Sequence, residues 1–76
     1  MSAERIARMA NQIARAFAVE GRTEAARDTA DHIRKFWDPR IRAELEALVI
    51  AGGKGLDPLA LEAAQLLFSA DRARAS

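Results

Sequence analysis

The sequence contains no cysteine. That absence excludes a disulfide scaffold, a thiolate zinc site, an iron–sulfur cluster and a cysteine nucleophile, and it fits a reducing cytosol. Long apolar runs are also missing. The longest, Ala47 to Ala51, is far short of the ~20 residues that span a bilayer. Glu4, Arg5 and Arg8 interrupt the first ten residues, so they are not the apolar core of a signal peptide. Ile6 to Phe17 is amphipathic and carries Arg8 and Arg15, loosely like a transit peptide, but its apolar face is needed for a core. Charge of one sign is lacking too. Ten Arg and two Lys are interleaved with eleven acids for a net charge of +1, which gives little attraction to nucleic acid or anionic membrane. Strand alternation is absent, and Ala and Leu outnumber β-branched residues.

What is present is helical periodicity. Ile6, Met9, Ala10, Ile13, Ala14 and Phe17 recur at helical spacing with Arg8, Asn11 and Arg15 opposite. They predict a helix over Ala3 to Val19, with Ser2 as N-cap and Gly21 as the left-handed stop. Thr23 is expected to cap a second helix, with Glu24 in its first turn. Ala26, Ala30, Ile33 and Trp37 make its stripe, and Thr29 and Phe36 widen it. Asp38 precedes Pro39, which ends that helix near Trp37 and starts a third. Ile41, Leu45, Leu48 and Val49 are its inward residues, and Gly52-Gly53-Lys54-Gly55 ends it. Asp57-Pro58 repeats the device for a fourth helix, with Leu59, Ala63, Leu66, Leu67 and Ala70 inward and a frayed tail over about 72–76. The expected fold is all-α: one domain over 1–76, built of four short helices in a bundle or an orthogonal array. With 76 residues the core is thin, covering about 60% of the unfolded surface. Stability is then on the order of 4–10 kcal/mol, and docking onto a partner would add to it.

Few side chains offer chemistry. His32 is the only histidine; with Asp28 one turn before it, a solvent-facing or rim position is expected, and the pair is too few ligands for a metal. Glu44 and Glu46 point to different sides of a helix, and Asp38 and Asp57 read as caps. The glycine run resembles a phosphate loop, but Gly55 follows Lys54 where Ser or Thr is required, and no strand precedes it. The densest segment is HIRKFWDPRIR, His32 to Arg42. Its bases and aromatics allow a nucleic-acid module as an alternative, although Asp28, Asp31 and Asp38 dilute the charge. Phe36 and Trp37 lie about 100° apart around a helix, so both cannot centre one stripe. Either one fills the core and the other closes the corner at Pro39, or one anchors a partner with Arg34 and Arg40 beside it. Asn11 reads as solvated surface, with a polar partner contact as the second reading. Arg72 and Arg74 in the tail are further contact candidates.

Three blocks then take on meaning together: MANQIARAF (Met9 to Phe17), ADHIRKFWDPRIR (Ala30 to Arg42) and GLDPLALEA (Gly55 to Ala63). They resemble, in order and over nearly half the chain, the small delta subunit of cytosolic NAD-dependent, molybdenum-containing formate dehydrogenase. The middle block is the most specific. Ile41 departs conservatively from the Met that the family pattern favours, and Val19 to Arg27 and the tail match nothing. The resemblance implies a cytoplasmic complex that oxidises formate to carbon dioxide and reduces NAD⁺. In such complexes an alpha subunit carries molybdenum cofactor and iron–sulfur clusters, a beta subunit FMN and the NAD site, and a gamma subunit iron–sulfur. This chain, having no ligand set for those groups, is expected to be a non-catalytic, cofactor-free accessory subunit or a maturation factor. Its expected partner is the large alpha subunit, within a complex with beta and gamma, and not nucleic acid or membrane. The docking candidates are Arg34, Phe36, Trp37, Arg40 and Asn11.

Overall fold

The chain is described by a computed structural model over residues 2–75. It forms four helices: α1 (Ala3–Phe17), α2 (Arg22–Phe36), α3 (Pro39–Ile50) and α4 (Pro58–Ala75). Each boundary has a local cause. Extended Ser2 accepts from Arg5 N through its hydroxyl at 3.2 Å and opens α1. Asp38 accepts from Arg40 N at 2.7 Å, with Pro39 the first residue of α3. Asp57 opens α4 through its carbonyl, which accepts from Leu61 N at 2.9 Å. α3 ends in a Schellman motif: Gly53 N donates to Leu48 O at 2.8 Å and Gly52 N to Val49 O at 3.0 Å. Both glycines have positive φ, and a Cβ on buried Gly53 would meet Leu61 Cδ1 at 3.0 Å.

The α1–α2 junction corrects three expectations. α1 ends at Phe17, where a turn closed by Glu20 N donating to Phe17 O at 3.0 Å takes over. Gly21 is not a left-handed stop: its φ is −60° and it is the N-cap of α2, with its carbonyl accepting from Ala25 N. Thr23 therefore lies inside the first turn and cannot cap the helix. An N-cap needs extended dihedrals first, and glycine is tolerated there nearly as well as a hydroxyl residue.

The core is built around Ile6, Ile33, Leu45, Leu67 and Phe68, with a second cluster of Ala10, Ala14 and Ala60 beside it. α2 packs mainly on α4, and α1 touches every other helix. Buried Ala25, Ala26, Ala30, Ala60, Ala63 and Ala64 let the helices approach closely. This small-residue packing turns α4 slightly from its expected face. Ala60, Ala64 and Phe68 point inward, and Leu66 is 44% exposed. The expected frayed tail is helical: α4 runs through Arg72 and Arg74 to Ala75. Ala and Arg are strong helix formers, and cations suit a helix C-terminus. Ser76 lies outside the described residues.

Candidate functional site

The chain bends sharply where α2 gives way to α3. Trp37 leaves helical geometry (φ −87°, ψ 139°) because Asp38-Pro39 follows. The bend sends the two adjacent aromatics different ways. Trp37 folds back, half-buried, and packs against both core clusters. Phe36, on the last residue of α2, is 71% exposed. The widening of the apolar stripe expected at Phe36 therefore fails, because the inward direction of α2 runs past the helices that cover it.

Phe36 is not isolated. Its ring centroid lies 4.8 Å from that of His32, one helical turn back, at a 45° tilt. His32 in turn meets Phe17 edge-on, with centroids 6.3 Å apart. The three rings form a row across the seam between α1 and α2. Phe17, expected in the core, is half-buried at its edge. The His32–Phe36 pairing was readable from i,i+4 spacing. Phe17 joins only through the crossing of two helices, for which the sequence carries no local signal.

The polar surroundings are mostly engaged. Arg34 Nη1 donates to Asp31 Oδ1 at 3.1 Å, and the Arg34 carbonyl accepts from Arg42 Nη1 at 3.5 Å. The Nε atoms of Arg34 and Arg42 are both shielded from solvent. Lys35 and Arg40 are exposed on either side of the bend. Four of the five residues predicted for docking (Arg34, Phe36, Trp37 and Arg40) thus fall on or next to one corner.

Asn11 does not. It is buried, donates from Nδ2 to Gly55 O at 2.9 Å and accepts from Asp57 N at 2.8 Å. This corrects the solvated and partner-contact readings, since both ends of the amide are used within the chain. Ala7 and Ala14, one turn away on either side, are buried with it.

The other chemical candidates are also occupied by the fold. The N–H groups of Gly52 and Gly53 cap α3 and do not converge on an anion. Asp57 at the mouth of α4 pairs with Arg15 at 3.3 Å. Glu20 beside α2 has its pKa raised above the usual 4.5, first by a hydrogen bond to the Asp28 carboxyl, then by desolvation and repulsion from Asp28 and Glu24. Among the described residues no three His, Cys, Asp or Glu are grouped to hold a metal ion. No helix among them is long and apolar enough to cross a membrane. What the corner can do chemically is bury aromatic surface against another surface.

The sequence model of one family, described as the NADH-dependent formate dehydrogenase delta subunit FdsD, matches residues 5–64. The match contains the whole aromatic row and the bend. No curated protein and no solved structure matches the chain.

Proposed function

The chain belongs to the family of NADH-dependent formate dehydrogenase delta subunits, and from that premise we propose that it is a non-catalytic accessory subunit that docks on the large molybdenum-containing subunit in the cytoplasm. Docking supports assembly or stability of the complex, whose beta and gamma subunits carry the remaining electron path to NAD⁺. The observation that carries this reading is the 71% exposure of Phe36 on top of His32. Burying a phenylalanine side chain is worth about 1.5–3 kcal/mol, and here the ring packs on His32 one helical turn back before binding. Arg40 and Lys35 beside it suit the polar rim of an interface.

This reading assigns the complex's cofactors to the other subunits. The sequence has no thiolate for an iron–sulfur cluster, and Gly52 and Gly53 spend their N–H groups on α3. The test is co-purification of the tagged chain with the catalytic subunit from cells that express both. Wild type retrieves it, and Phe36→Ala retrieves much less while keeping its helicity. Failure of wild type to retrieve the catalytic subunit overturns the proposal. Retrieval from the cofactor-free form only would assign the chain to maturation instead of the finished enzyme.

A further inference from the structure

Phe36 is the last residue of α2, and the chain leaves helical geometry at Trp37. Long side chains on a helix lean toward its N-terminus, so the Phe36 ring lies back over His32, with centroids 4.8 Å apart. Phe17 of α1 meets the other side of the imidazole edge-on at 6.3 Å. Both separations fall in the range of about 4.5–7 Å where aromatic pairs attract. The two supporting rings are half-buried, whereas the ring they carry is 71% exposed. We infer that His32 is a positioning residue for docking: it holds Phe36 in the orientation that meets the partner, and Phe17 braces it from α1. This role rests on the docking reading above and adds two residues, one of them on another helix, to what the contact needs.

The fold gives His32 little else to do. The inward face of α2 is made by Ala25, Ala26, Thr29, Ala30 and Ile33, and His32 belongs to neither core cluster. Asp28, one turn before it, is engaged with the Glu20 carboxyl instead. The contacts that remain to the imidazole are the two rings. A phenylalanine at a helix end with no such support divides its time among staggered rotamers. Binding then has to select one of them, and a ring already held in place avoids that loss. The row thus carries order from the α1–α2 seam out to the exposed ring.

The experiment has two readouts on the full chain. In the free chain, three-bond couplings of isotope-labelled Phe36 report its χ1 populations. Wild type should show one dominant rotamer, and His32→Ala should show averaging with helicity unchanged by circular dichroism. His32→Phe, which keeps a ring, should restore the single rotamer. In docking, His32→Ala should bind the catalytic subunit about tenfold more weakly, and His32→Phe should bind as wild type. The loss should vanish in the Phe36→Ala background, because a positioning residue acts only through the ring it holds. The role is overturned if the couplings are the same in wild type and His32→Ala, if His32→Ala keeps its affinity, or if it costs as much without the Phe36 ring as with it. Each of those results leaves docking intact. A wild-type chain that retrieves no catalytic subunit overturns docking and this role together.

Discussion

Asn11 accepts a hydrogen bond from the backbone N–H of Asp57 at 2.8 Å while its own Nδ2 donates to the carbonyl of Gly55 at 2.9 Å. One amide side chain on α1 therefore fixes the loop that launches α4. Replacement by alanine should remove two part-buried hydrogen bonds, at about 0.5–1.5 kcal/mol each. Asn11→Asp keeps the acceptor but turns a carboxylate toward the Gly55 carbonyl. Both variants should unfold at clearly lower urea concentration. A midpoint equal to wild type would count against the clamp.

Trp37 and Phe36 are neighbours with opposite expected effects. Trp37 touches both core clusters, and its truncation to alanine should cost about 2–4 kcal/mol, toward the lower side for large aromatics because the ring is half-buried. Phe36→Ala should change stability by less than about 1 kcal/mol. Thermal melts followed by circular dichroism distinguish them. Equal losses would mean that the exposed ring has a structural role.

Thr29 is fully buried, and among the described residues its hydroxyl has no hydrogen-bond partner. Thr29→Val removes that polar atom while preserving shape and helix propensity. The variant should be more stable by about 1 kcal/mol. A loss of stability would show that the hydroxyl is satisfied, for instance by water.

Glu20 should make the fold pH-sensitive. Its folded-state pKa lies above the usual 4.5, chiefly through the hydrogen bond to Asp28. The folded state thus holds the proton more tightly than the unfolded chain. The resulting stabilisation is present below the ordinary glutamate value and is lost as pH rises through the folded value. Glu20→Gln should therefore be more stable than wild type near neutrality, and the gap should close as pH falls toward 4.5. A gap that is constant with pH would remove the carboxyl pair as its cause.

The legible parts of this fold are those whose cause sits in adjacent residues. Asp38-Pro39 ends one helix and starts the next, and Gly52-Gly53 closes α3, each as the sequence implies. Positions that depend on a distant segment were less readable. Asn11 looked like surface because its partners lie more than forty positions away. On α4 the expected Ala63 and Leu67 are buried, while close packing on α2 adds Ala60 and Ala64 to the inward face and leaves Leu66 exposed. The corner between α2 and α3 is visible in the sequence as a dense motif. The direction each ring takes required the bend, and the place of Phe17 in the row required the crossing of α1 and α2.

Trp37 is the only tryptophan, and the chain has no tyrosine. Its indole is half in the interior and half at the rim of the proposed contact. The protein therefore carries its own fluorophore, free of competing emitters. Unfolding should shift its emission to the red, and docking should shift it to the blue by removing the remaining water. One unlabelled optical signal can follow both events, with opposite sign.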